Sequence, residues 1–167
     1  MSAARERSGL WWLPVALAVI GLDQWTKALV VRYIGLHEAV RVLPVLDLTL
    51  TYNSGAAFSF LASESGWQRW LFTGLALVIT VLIALYLRQL EARGQALLCL
   101  ALTLIMGGAL GNLIDRLRIG HVVDFVSAHW HGAYFPAFNV ADSAITVGAA
   151  LLFIDVLRER GAGRRRS

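Results

Sequence analysis

The stretch PAFNVADSAITVGAALLFIDV, residues 136–156, decides what kind of chain this is. After Pro136 it runs into an apolar segment of a length that crosses a bilayer as a helix, yet Asp142 sits near its start. That carboxylate has two readings. Asn139 followed three residues later by an acid resembles a helix N-cap with a negative charge where the dipole favours it. Alternatively the acid does chemistry, because ionisable groups at membrane depth are expensive and mark functional sites. The rest of the chain is needed to choose.

Composition places the whole sequence in a membrane. Of 167 residues, 57% are hydrophobic and only 16% charged, where a soluble domain carries about 25% charged residues. Mean hydropathy is +0.63. Apolar windows at Leu10–Val31, Trp70–Leu87, Ala96–Ile114 and Phe138–Val156 predict four membrane-spanning α-helices in one domain over residues 1–167. The six Trp suit membrane–water interfaces. The formal charge of +4 does not point to nucleic acid, since Arg158, Arg160, Arg164, Arg165 and Arg166 gather behind the last span as a cytoplasmic anchor. Cys99, the single cysteine, lies among Leu97, Leu98 and Leu100 and reads as a small apolar filler without a disulfide partner. Arg5 and Arg7 before an apolar stretch imitate a cleavable signal. The stretch is too long and lacks a small-x-small site, so a retained span is expected.

Four spans put both termini on one side. Outside the spans that side holds Arg5, Arg7, Arg88, Arg93 and the five tail arginines, against Arg32, Arg41, Arg69, Arg116 and Arg118 on the other. The bias predicts cytoplasmic termini, with segments 32–69 and 115–137 facing outward. In LDLTLTYN, residues 46–53, Leu46, Leu48, Leu50 and Tyr52 alternate with polar residues, the period of a half-buried strand. VRVLPVL before it offers a partner strand with Pro44 at an edge or bend. A small outer β-sheet between helices one and two, about residues 36–62, is therefore expected, lying on the membrane with Phe58 and Phe60 beside it as a cover.

The polar residues that composition does not explain are Asp23, Lys27, Asn112, Asp115, Arg116, Asp124, Asn139 and Asp142. With the topology applied they fall at one depth, around one pocket at the outer edge. Plain roles exist for several. Asp23 and Lys27 stand one turn apart and can form an ordinary i,i+4 pair. Asp115 can pair with Arg116 or Arg118 at a wet helix end. Asp124, in the connection before the last span, is flanked by Val122, Val123, Phe125 and Val126, so an exposed surface role does not suit it. Two carboxylates entering a partly dry pocket cannot both ionise cheaply, and such a pair can activate a water between them and protonate a carbonyl oxygen.

Other hydrolytic chemistries fit less well. The sequence contains neither H-E-x-x-H nor G-x-S-x-G, and Cys99 has no histidine near it in sequence. His121, Asp124, His129 and His131 could be offered as metal ligands, but their spacing matches no known site; no metal and no cofactor is expected. A transporter with Asp23, Lys27 and Asp142 on an ion path is the main rival, although spans one and four share no repeat. A lipid-binding scaffold is the third reading.

DQWTK at 23–27, YNSGAAFSF at 52–60, GGALGNLIDR at 107–116, VVDF at 122–125 and FNVADSAI at 138–145 together resemble the ordered motifs of the lipoprotein signal peptidase family, also called signal peptidase II. The resemblance covers all four spans and both outer segments. It implies an aspartic endopeptidase of the bacterial cytoplasmic (inner) membrane that removes signal peptides from prolipoproteins, cutting before a cysteine that carries diacylglycerol. By that resemblance the catalytic dyad falls on Asp124 and Asp142. The supporting residues fall on Asp23, Lys27, Asn53, Gly55, Gly108, Asn112, Arg116, Asn139 and Ala141. It further implies membrane lipid as surroundings, globomycin-type inhibitors bound at the dyad and no nucleic acid; a monomer is the default expectation. Within that frame Asn53, Asn112 and Asn139 suit the backbone groups of a locally unwound substrate, and Arg116 suits holding Asp124 or a substrate carbonyl. Gly107, Gly108 and Gly111 suit close approach of a backbone or a lipid chain.

Overall fold

The computed structural model describes residues 7–55 and 66–164. A short 3-10 turn, Gly9–Trp12, leads into α1 (Leu13–Tyr33), followed by β1 (Ala39–Leu43), β2 (Leu46–Asn53), α2 (Trp67–Leu87), α3 (Ala96–Ile119), β3 (Val122–Trp130), β4 (Ala133–Tyr134) and α4 (Val140–Arg164). Gly9–Tyr33, Trp67–Leu87, Ala96–Ile119 and Val140–Glu159 are each long and apolar enough to cross a membrane. The expected spans are met, with α3 running on to Ile119, so that Asp115 and Arg116 lie inside its last turns.

The helix α3 is the hub. Two-thirds (67%) of its most apolar stretch is buried, against 17–22% for the other three, whose exposed leucines, valines and tryptophans are left for lipid. Small residues make this possible. A Cβ on Gly107 would lie 2.9 Å from the Ala16 carbonyl oxygen of α1, and one on Gly108 would collide with the Ala141 carbonyl oxygen of α4. What the glycines admit is therefore neighbouring backbone. Near one end of the bundle Leu87, Leu90, Leu98, Cys99 and Met106 pack into a core. The chain start is tied to that end, since Gly9 N–H donates to the Leu90 carbonyl (2.8 Å) and the Trp12 indole to Ala92 (2.9 Å).

At the other end sits a four-stranded antiparallel sheet in the order β1-β2-β3-β4. Pro44 lies in the tight turn between β1 and β2, the bend anticipated for it. Only half of the sheet comes from the segment between the first two helices. Residues 122–130, expected as a connecting loop, are a strand paired to β2 with Thr51 opposite Asp124 and Asn53 opposite Val122. The alternation that reveals a half-buried strand is absent because Val122, Val123, Asp124 and Phe125 are all buried. Val123 and Phe125 pack with Val30, Ile34 and Leu50. Phe138 extends the lacing: its carbonyl accepts from Phe125 N–H (3.0 Å) and Val126 N–H (2.8 Å), and its N–H donates to Val126 (3.0 Å). The entrance to α4 is thereby pinned against the strand that carries Asp124. Phe58 and Phe60 lie outside the described residues.

Candidate active site

The eight polar residues do gather, in two linked groups. The first is built on α1 and α3. Lys27 Nζ lies 2.8 Å from Asp23 Oδ2 and 2.8 Å from Asp115 Oδ2, and donates to Asn112 Oδ1 at 2.9 Å. All three ammonium protons thus have acceptors. Asp23 Oδ1 accepts the Ala141 N–H at the start of α4 (2.9 Å), and Asp115 Oδ2 accepts the Val123 N–H of β3 (3.2 Å). Asp115 therefore pairs with Lys27 and not with the arginines of its own helix; the lysine is already buried beside it, while Arg116 donates to the Asn112 carbonyl and Arg118 is exposed. Gln24, which sequence reasoning passed over, donates to Asp115 Oδ1 (2.8 Å) and to the Gly111 carbonyl (3.2 Å). Its place inside DQWTK was the available signal. A Cβ on Gly111 would lie 2.8 Å from Asp23 Oδ2, which accounts for the gap in the α3 surface there.

The second group stands on β3 and α4. Asn139 is the N-cap of α4: its Oδ1 accepts the Asp142 N–H (2.9 Å), while Asp142 Oδ2 accepts the Asn139 N–H (3.2 Å). This reciprocal arrangement is a capping box with an aspartate in place of the usual glutamate. The same Asn139 donates through Nδ2 to Asp124 Oδ1 at 2.8 Å, with the Val123 carbonyl and Asn112 Oδ1 each at 3.2 Å. One buried residue thus touches both carboxylates, Asp124 through its side-chain amide and Asp142 through its backbone N–H. Asp142 Oδ1 accepts from Asn112 Nδ2 (2.8 Å), and Asp124 Oδ2 from Asn53 Nδ2 (2.9 Å). Asn53 is oriented by its neighbour, because Gly55 N–H donates to its Oδ1 (2.8 Å) and leaves the amide nitrogen facing Asp124. Gly55 has φ +98°, and a Cβ there would strike the Phe72 ring at 2.6 Å, so glycine is required. Thr51 Oγ1 adds a bond to the Asp124 carbonyl (3.2 Å).

No cation is paired with Asp124 or Asp142 among the described residues. Arg116, expected to hold Asp124 or a substrate carbonyl, donates to the Asn112 carbonyl (3.3 Å) and lies 5.2 Å over the Phe72 ring. Burial pushes the Asp124 carboxyl up to about 6, with the Asp142 charge adding to the rise; the amides of Asn53 and Asn139 and the Lys27 charge pull the other way. The candidate metal set does not assemble. Among the described residues no three His, Cys, Asp or Glu side chains come together as ligands; His129 turns to Asp47 (3.2 Å), and His121 lies against Tyr52.

Comparison with known proteins bears on this geometry. The family model described as Signal peptidase (SPase) II matches residues 15–158. A lipoprotein signal peptidase of Pseudomonas aeruginosa is 49% identical over 154 residues, spanning 91% of this chain and 90% of its own. One from Shewanella pealeana is 51% identical over 148 residues, covering 89% of this chain and 86% of its own. A solved structure of a bacterial membrane enzyme, obtained by the in meso method at 2.3 Å resolution, superposes with a TM-score of 0.78 at 31% identity, over 89% of this chain and 88% of that one.

Proposed function

This chain belongs to the signal peptidase II family, and on that premise we propose that it is an aspartic endopeptidase with Asp124 and Asp142 as its catalytic pair. It removes the signal peptide from prolipoproteins, cutting before a cysteine that bears diacylglycerol. The observation that carries this reading is the single residue Asn139, which hydrogen-bonds Asp124 through its side-chain amide and Asp142 through its backbone N–H, with no cation paired to either acid among the described residues.

The division of labour follows from surroundings. Asp124, whose carboxyl is raised to about 6 by burial, takes up a proton more readily than an ordinary aspartate and serves as acid. Asp142, in the first turn of α4, stands at the helix end that favours negative charge and serves as base. A water between them loses a proton to Asp142 as its oxygen attacks the scissile carbonyl carbon, and Asp124 gives its proton to the carbonyl oxygen. Collapse of the tetrahedral intermediate returns that proton to Asp124. It breaks the C–N bond, and the proton held by Asp142 leaves with the new amine.

The supporting residues have assignable tasks. Asn112 and Asn139 hold the acids, Asn53 with Gly55 holds Asp124, and the Asp23–Lys27 pair with Ala141 and Gly108 fixes α4 against α3. Arg116, bonded to one carbonyl only, has donors left for a substrate carbonyl. The active site faces the periplasm and both termini the cytoplasm of a bacterial inner membrane; the enzyme works as a monomer and takes globomycin-type inhibitors at the pair. The test is cleavage of a diacylglyceryl-modified prolipoprotein in lipid by wild type, Asp124→Asn and Asp142→Asn. Asparagine still caps a helix, so loss of cleavage in both variants with thermal stability kept supports the pair, whereas a cutting Asp142→Asn enzyme reduces that residue to a cap. Solute movement across liposomes without cleavage by wild type would favour the transporter reading.

A further inference from the structure

We propose that the recess on the flank of α4 beside Asp142 seats one acyl chain of the substrate's diacylglyceryl group, an inference that rests on the peptidase reading above. The recess has a volume of about 370 Å³ and is lined by Phe135, Phe138, Asp142, Ser143, Thr146 and Val147.

Its wall is less polar than its residue names suggest. Ser143 Oγ donates to the Asn139 carbonyl (3.0 Å) and Thr146 Oγ1 to the Asp142 carbonyl (2.9 Å), so both hydroxyls are turned back onto their own helix. The backbone is equally committed: Phe135 N–H donates to Ala128 (2.8 Å), Phe138 N–H to Val126 (3.0 Å), and the Phe138 carbonyl accepts two strand N–H groups. With those protons spent, no side-chain donor among the lining residues faces an occupant. A peptide strand seated here would find no side-chain donor for its C=O groups at membrane depth, whereas a hydrocarbon chain needs none. A signal helix, about 10–12 Å across with its side chains, is too wide for such a recess.

The position of the recess points the same way. Phe135 and Phe138 meet edge to face at 6.2 Å and form one wall, and Val147 is 51% exposed on the side of α4 turned away from the bundle. A chain already dissolved in the bilayer can enter sideways without crossing water. At the inner end stands Asp142. The acyl chains of a diacylglyceryl-cysteine hang from the residue next to the bond to be cut, so a chain seated here brings that bond to the carboxylate.

The test uses diacylglyceryl-cysteine precursors with acyl chains from short to long, cleaved by the full-length protein in detergent micelles. In wild type kcat/KM is expected to rise about tenfold or more from the shortest to the longest chain. In Val147→Trp that ratio collapses towards one; Phe153→Trp, elsewhere on the exposed side of α4, keeps it. A second readout needs no turnover: a precursor with a photoreactive group in its acyl chain, bound to Asp124→Asn, is expected to label residues 135–147. Chain-length independence, sensitivity to the peptide's apolar side chains instead, or labelling elsewhere overturns the assignment. Labelling at 135–147 without cleavage by wild type leaves the acyl seat standing and removes the peptidase reading. Cleavage with labelling elsewhere does the reverse.

Discussion

Two carboxylate groups share one end of this helix bundle, and they are treated in opposite ways. Asp23 and Asp115 lie on either side of Lys27, and Asp115 also takes Gln24. That cluster is closed, with every lysine proton placed and two oxygens used to fix the backbone of α4 and β3. Asp124 and Asp142 receive only neutral amides. Charge that is compensated holds helices together; charge left uncompensated is available to change its protonation during a reaction. Residue type is the same in both, so the paired cation is what sets the closed cluster apart from the proposed catalytic pair.

The largest effects should split along that line. Asp142→Asn is expected to cut kcat by about 10³-fold or more, equivalent to about 4 kcal/mol in the barrier, while shifting the melting temperature little. Lys27→Met leaves two buried carboxylates without their cation and should cost about 3–5 kcal/mol of stability, visible as a lowered midpoint in a detergent thermal melt. A Lys27→Met protein that melts like wild type would erase the contrast.

Asp124 supplies a finer cut. Its carboxyl is raised to about 6 in the folded protein from an ordinary value of 3.8, so between those values the folded state binds more protons than the unfolded one. Stability should therefore fall as pH rises from about 4 to 6, by up to about 3 kcal/mol, and Asp124→Asn should lack that slope in melts across the window. In the proposed mechanism, by contrast, Asp124 must carry a proton, so kcat/KM should decline above a limb near pH 6. The smallest effect belongs to Asn53→Ala. Removing an amide that favours the charged form should move that limb upward by about one pH unit or less, with the Asp23–Lys27 cluster untouched.

Much of this was legible in the sequence, for identifiable reasons. The four spans stand out because hydrocarbon demands long uncharged stretches. Strand β2 shows its period of two in its alternating residue types, although Asp47 and Thr49 of the polar set are buried and Tyr52 of the apolar set is exposed. Strand β3 hid because it is buried on both faces, and a continuous apolar run has no period to find. The polar residues were visible as misfits, yet their partners were not: Asp115 turned to Lys27, 88 positions away by their numbers, and Arg116 turned to Phe72 and not to Asp124. Spacing along one helix favours local pairs. Burial decides otherwise when a distant cation is already desolvated.

The bond from the Ala141 N–H to Asp23 spans 118 positions in the chain, and Asn139 and Asp142 both follow the third spanning helix. Biogenesis is thereby coupled to competence. A nascent chain stopped before Val140 has every strand residue and Asp124, but neither Asp142, the proposed base, nor the formed helix end that orients it. The enzyme cannot switch on piecemeal during insertion, and its activity reports that the last helix has arrived.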